Sequence, residues 1–273
     1  MKIYHYTTIE TLALILKNKT IRFSRLDILN DLEEGHISSS GVDVGKLAFV
    51  SCWTENTEEG IPLWTNYGKG CMGVRIALEK DMFKDYEWSE EHFKQNNTLR
   101  IPIYANGTFG KFKIPFKDIM TKGYTMYPPT KIEDFYFPIQ YVKDMKSFVG
   151  KSVSTNLNQI ENINNTMIGR YKHNRWEFEK EARFILYKYP IDTEEYLRNP
   201  SAETLSNRFI NNHFDNCTFY DMHLKDDIFD SLEVILSPSA NECHKIIVES
   251  LLKQYAPSAI WKESKLSNLV ELK

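Results

Sequence analysis

The run Trp176-Glu177-Phe178-Glu179-Lys180-Glu181-Ala182-Arg183-Phe184-Ile185-Leu186-Tyr187 holds the residues of this chain best suited to chemistry. Read at a period of two, it sets Phe178, Ala182, Phe184 and Leu186 on one face of a strand, and Glu179, Glu181, Arg183 and Tyr187 on the other. Two carboxylates and a guanidinium then line up opposite a core face. Burying charge is unfavourable unless it is paired or put to use, so the pattern marks a candidate site centred on Glu181.

Three other constellations carry suitable side chains. Tyr4-His5-Tyr6-Thr7 ends a first strand just before a helix. His5 there can donate and accept hydrogen bonds toward a ligand ribose, with Thr7 as a hydroxyl partner. Leu29-Asn30-Asp31-Leu32-Glu33-Glu34 is a turn-forming pair followed by acids. Pro62-Leu63-Trp64-Thr65-Asn66-Tyr67-Gly68 puts Trp64 and Tyr67 on one side of a helical turn, where an aromatic ring could stack on a planar ligand. Taken singly, each also fits a structural role: a satisfied core histidine, a helix cap, aromatic packing.

The elements that must position these residues are legible in outline. Lys2 to Tyr6 reads as a short strand, followed by a helix capped by Thr7 or Thr8, with Leu12, Leu14, Ile15 and Leu16 on its apolar side. Ile21–Ser24, Leu47–Trp53 and Cys71–Ala77 read as further strands. From about Asn97 to Tyr141, aromatics interleave with Lys111, Lys113, Lys117 and Lys122. That pattern suits a single-stranded nucleic-acid surface, although core aromatics between solvated lysines are the stronger explanation. The polar stretch Lys151–Thr166 reads as a mobile connection or a weakly amphipathic helix. A helix from about Asn241 to Tyr255 carries an apolar stripe of Cys243, Ile246, Ile247, Leu251 and Leu252, and a strand around Ala259–Trp261 follows.

With 273 residues, 42% hydrophobic and 26% charged, the chain can bury the core of one large domain over 1–273, with a possible inserted segment at about 97–170. A net charge of -3 and a pI near 6.2 give no overall pull toward nucleic acid. No apolar run approaches the roughly 20 residues that span a bilayer, and Met1–His5 lacks the apolar core of a secretion signal. A cytoplasmic location without membrane contact is expected. Cys52, Cys71, Cys217 and Cys243 lie far apart without metal-ligand spacing, so reduced thiols and no metal are expected.

Together the four motifs resemble a large, poorly characterised bacterial family. Its members show Tyr-His-Tyr-Thr before a helix, an Asn-Asp-x-x-Glu turn, a Pro-x-Trp-x-x-Tyr segment leading into Gly-Val, and a late Trp-x-x-Glu-x-Glu-x-Arg. The matches are Tyr4–Thr7, Asn30–Glu34, Pro62–Val74 and Trp176–Arg183, spread over most of the first 190 residues. The order of histidine, aromatic and glutamate also looks like the ADP-ribosyltransferase superfamily, particularly its toxin and RNA-phosphotransferase branches.

That resemblance implies an α+β fold, an ADP-ribosyltransferase-like split antiparallel β-sandwich with flanking helices and NAD as co-substrate in the cleft. His5, with Tyr6 and Thr7 beside it, would meet the adenosine-side ribose, and Asn30 and Asp31 would join the cofactor contacts. Trp64, Tyr67 or Tyr104 would stack on nicotinamide. Glu181 would bind the nicotinamide-ribose hydroxyl, and Glu179 would select or activate the acceptor. Arg183 would hold Glu181 ionised or contact a phosphate. The implied activity is ADP-ribose transfer to a macromolecule by a toxin or phage-defence effector. RNA or DNA is favoured slightly over protein, and an antitoxin or inhibitor protein is a possible partner. Lys172-His173-Asn174-Arg175 and the Lys111–Tyr127 segment would then be surfaces for a phosphate backbone. An NAD glycohydrolase and a non-catalytic sensing or interaction module are the alternatives.

Overall fold

The computed structural model describes residues 1–68, 72–89, 110–121, 123–157, 159–192, 195, 198–199 and 201–270. Cys71, Tyr104 and the 97–109 portion of the suspected insertion lie outside the described residues. The fold is α+β and its sheet is mostly antiparallel. Among the described residues the largest sheet has 11 strands: β1 (Lys2–Thr7), β2 (Thr20–Arg25), β3 (Ala48–Thr54), β4 (Val74–Glu79), β5 (Met120–Thr121), β6 (Tyr124–Met126), β7 (Tyr136–Pro138), β8 (Glu181–Tyr189), β9 (Phe219–His223), β10 (Glu233–Leu236) and β11 (Ile260–Glu263). The main path runs β11, β10, β4, β1, β3, β8, β6, β5. Strand β7 lies beside β8, and β2 links β3 to β9.

The sheet is weakest where β1 meets β3. Strand β1 pairs with β4 along its whole length, and β3 with β8 from Ala48 to Thr54. Between β1 and β3 a single register pair is formed, Tyr4 opposite Thr54. Thr54 also lies opposite Glu181. Tyr4, Thr54 and Glu181 therefore form one row across the sheet, and His5 follows immediately after Tyr4. Strand geometry alone brings the ends of the first and last motifs together.

Two apolar layers cover the two faces of β8. Ala182, Phe184 and Leu186 join Ile3, Leu12, Phe23 and Val234 in one, while Ile185 and Tyr187 join Leu26, Val44 and Val50 in the other. Full burial of an aliphatic side chain such as Leu12 contributes roughly 2 kcal/mol, and this strand receives it from both sides. Charge on β8 is found at its two ends: Glu181 and Arg183 face the parting of the sheet, and Lys188 is paired with Asp215 at 2.5 Å.

Helix α1 (Ile9–Asn18) is capped by Thr8, whose Oγ1 accepts the Thr11 N–H at 3.1 Å. Helices α2 (Leu32–Gly35) and α3 (Ile61–Tyr67) flank the site, and α4 (Ala202–Ile210) and α5 (Glu242–Tyr255) pack farther out. Gly73 lies between α3 and β4. A Cβ there would come within 2.2 Å of the Thr7 carbonyl oxygen, so the close approach of β1 requires glycine.

Several expectations need correction. The 151–166 stretch is a hairpin, Val153–Asn156 against Gln159–Ile163, formed without alternating apolar residues. On α5 the inward residues are Val248 and Leu252, whereas Cys243, Ile246 and Ile247 are exposed. Lys113 is buried and ion-paired with Asp81 and Asp85 at 2.9 Å each, so it offers nothing to a phosphate backbone.

Candidate functional site

A cavity of about 90 Å³ opens at the parting of β1 and β3. It is lined by His5 and Tyr6 from β1, Asn30 and Asp31 from the turn before α2, Tyr67 from the end of α3, Glu179, and Glu181 and Arg183 from β8. Thr7 and Trp64 are not among the lining residues. Thr7 is buried opposite Val74. Trp64 is fully buried, edge-on to Tyr6, with its indole N–H donated to Glu59 at 3.0 Å. Of the aromatics proposed to stack, Tyr67 reaches the cavity and Trp64 supports Tyr6 from behind.

Glu179 reaches the site by a different route from the expected one. The strand begins at Glu181. Residues Asn174–Glu179 form a 3-10 turn, and Lys180 closes it with φ +44°. The left-handed residue breaks the alternation, so Phe178 is 45% exposed instead of in the core. Glu179 turns back toward the cavity because two groups, the Tyr67 hydroxyl and the Lys172 ammonium, draw it there.

Those groups belong to one buried network. Tyr67 donates its hydroxyl hydrogen to Glu179 Oε1 at 2.5 Å. Lys172 Nζ donates to Glu179 Oε2 at 2.5 Å and to Glu181 Oε2 at 3.2 Å. Arg183 Nε donates to Glu181 Oε1 at 2.6 Å and Nη2 to Oε2 at 3.0 Å. The same guanidinium pairs with both oxygens of Glu34. Asn30 contacts the Tyr67 hydroxyl, so the 30–34 turn is held at both ends. Three carboxylates and two cations, all at most 7% exposed, leave one net negative charge when every group is ionised.

Burial and pairing push these groups in different directions. Desolvation alone would raise the Glu181 carboxyl, but Arg183 and Lys172 outweigh it and hold it down at about 2. Glu179 is raised, because burial exceeds what Lys172 returns. Glu34 is raised by burial despite Arg183. The Tyr67 hydroxyl is raised by burial and by Glu179, which keeps it a donor. His5 shares Nδ1 with the Cys52 carbonyl at 2.7 Å, so Nδ1 carries the hydrogen and Nε2 is left as an acceptor. Burial lowers its pKa against that hydrogen bond, which keeps the ring neutral. The site thus combines a carboxyl held low by two cations, a second carboxyl raised by burial, and an imidazole whose pKa burial lowers.

Sequence reasoning missed Lys172, Glu34 and Cys52. Lys172 opens the Lys172–Arg175 segment expected as a phosphate-backbone surface, yet it is 3% exposed, with its Nζ 4.6 Å from the Trp176 ring centre. No local signal distinguishes it, because its partners lie beyond the turn that follows. Glu34 does end the Asn-Asp-x-x-Glu motif, which was the available hint. Of the Lys172–Arg175 segment, Arg175 remains exposed, 3.4 Å from Glu33.

Among the described residues no cluster of three or more histidines, cysteines, aspartates or glutamates could hold a metal ion, and no helix is long and apolar enough to cross a membrane. No protein-family model matches the chain, and no similar curated protein or solved structure is found.

Proposed function

We propose that this protein is a cytoplasmic NAD-dependent ADP-ribosyltransferase, a bacterial toxin or phage-defence effector that transfers ADP-ribose from NAD to a macromolecule. The carrying observation is that His5, Tyr67 and Glu181, far apart in sequence, line one cavity where the sheet parts. A mostly antiparallel sheet joined at that point by one register pair is compatible with a split β-sandwich.

In this reading the bond between nicotinamide and C1′ of ribose lengthens and positive charge builds on the sugar. Glu181, ionised throughout the working pH range, stabilises that charge without reorganising. Tyr67 stacks on the departing ring. The acceptor nucleophile attacks C1′, and Glu179 takes its proton, for which a raised carboxyl pKa is suited. His5 accepts a ribose hydroxyl on Nε2. Nicotinamide leaves with the bonding electron pair.

The acceptor class is open to a direct test. Labelled NAD is added to cell lysate with the protein, and the product is divided between nuclease and protease. Label released by nuclease assigns a nucleic acid, and label released by protease assigns a protein. Free nicotinamide in large excess over enzyme, without macromolecular label, makes the chain an NAD glycohydrolase. Unchanged NAD under all conditions removes the enzyme reading.

A further inference from the structure

Asp31 is 6% exposed and lines the cavity. Its Oδ1 serves the backbone, accepting the N–H of Glu33 at 3.2 Å and of Glu34 at 3.4 Å, which caps α2. Its Oδ2 is buried and, among the described residues, has no hydrogen-bond partner. Five buried side-chain atoms share that condition, and Asp31 Oδ2 is the one that belongs to a residue of the cavity. An unpaired buried carboxylate oxygen is unfavourable, and the fold does nothing locally to relieve it.

The surrounding wall narrows what can. His5 offers Nε2 as an acceptor. Glu179 and Glu181 offer carboxylate oxygens, while the cations Lys172 and Arg183 are already bound to carboxylates. A wall whose carboxylates outnumber its cations, and whose cations are already committed to them, disfavours phosphate and suits an uncharged group that brings its own O–H or N–H.

We infer that Asp31 Oδ2 accepts a hydrogen bond from a ligand hydroxyl, and that this wall receives the uncharged, hydroxyl-bearing part of the ligand with the phosphates held away from it. The acceptor character stands on the wall itself. The assignment of that hydroxyl to a ribose rests on the NAD reading proposed above.

Asp31→Asn tests it cleanly, because an asparagine keeps the capping oxygen and replaces Oδ2 with an N–H donor. Melting temperature is measured without ligand, and calorimetry is run with NAD and with NAD analogues each lacking one ribose hydroxyl. The variant is expected to melt at or above the wild-type temperature while binding NAD at least tenfold more weakly. One analogue is expected to bind the wild type weakly and the variant no more weakly than NAD does. Asp31→Ser, a second good cap, is expected to lose NAD affinity as well. A lower melting temperature for Asp31→Asn overturns the inference, since the carboxylate is then a structural anion. So does unchanged NAD affinity, which leaves the transferase reading intact. Equal losses for every analogue in both proteins mean that water alone meets Oδ2, and overturn it too. A wild type that binds no NAD overturns the transferase reading, and the ribose assignment with it.

Discussion

Arg183 holds Glu34 with both terminal nitrogens of its guanidinium, although 149 residues separate them in sequence. The pair ties the first residues of β8 to the 30–34 turn, and Glu181 shares the same cation. A geometry this dependent on one buried charge is vulnerable at that charge.

Arg183→Met therefore leaves Glu34 and Glu181 buried without their common partner. A loss of about 3–5 kcal/mol is expected, as for other broken buried pairs. Arg183→Lys recovers part of it, since an ammonium cannot form the two-pronged contact. Urea denaturation measures both, and equal stability of Arg183→Met and wild type refutes the role.

Glu181→Gln is expected to slow nicotinamide release by about 10²–10³-fold, or roughly 3–4 kcal/mol, with NAD affinity changed little. Its effect on stability has a definite sign. A carboxyl lowered from 4.5 to about 2 contributes stability above 4.5 that is lost as pH falls toward 2. Glu34 and Glu179 are raised, so their contribution is present below 4.5 and is lost as pH rises through their folded values. The acid-side loss carried by Glu181 should be missing in Glu181→Gln, as denaturation at a series of acidic pH values will report. An identical acid limb in the two proteins contradicts the assignment.

Lys172→Met removes the ammonium that Glu179 and Glu181 share. Glu179, already raised by burial, rises further, so the acid limb of the pH–rate profile moves to higher pH. Lys172→Arg should return the limb most of the way. A profile displaced only in height, with no lateral shift, would falsify this account of Lys172.

The two aromatics of the Pro62–Gly68 segment can be separated by kinetics. Tyr67→Ala is expected to raise KM for NAD about tenfold, or roughly 1.4 kcal/mol. Trp64→Phe should leave KM alone and lower stability by about 1 kcal/mol. The reverse outcome moves the stacking role to Trp64.

Much of the scaffold was legible because its strands are short apolar runs. Lys2–Thr7, Thr20–Arg25 and Ala48–Thr54 fall within a residue or two of where their patterns put them. The hairpin at 153–163 was not legible, because its Asn- and Ser-rich strands have no alternation to read. On α5 the apolar residues outnumber the places that bury them, so the stripe was read one side too far round. Within the site, Glu179 and Glu181 do meet, but through a turn and a lysine instead of a shared strand face. Lys180 in the left-handed region and Lys172 in the interior are both outcomes of tertiary packing. Nothing within a few residues of either announces them.

The lone register pair between Tyr4 and Thr54 has a last consequence. With a single backbone pair at that seam, the aperture depends on the side chains packed beside it. The Trp53 indole packs beside that seam, its ring centre 5.1 Å from that of His5 on β1 and 6.3 Å from that of Phe184 on β8. Trp53 is buried in the core and also lines the cavity, so repacking that one side chain alters the space offered to a ligand while the charged network is kept.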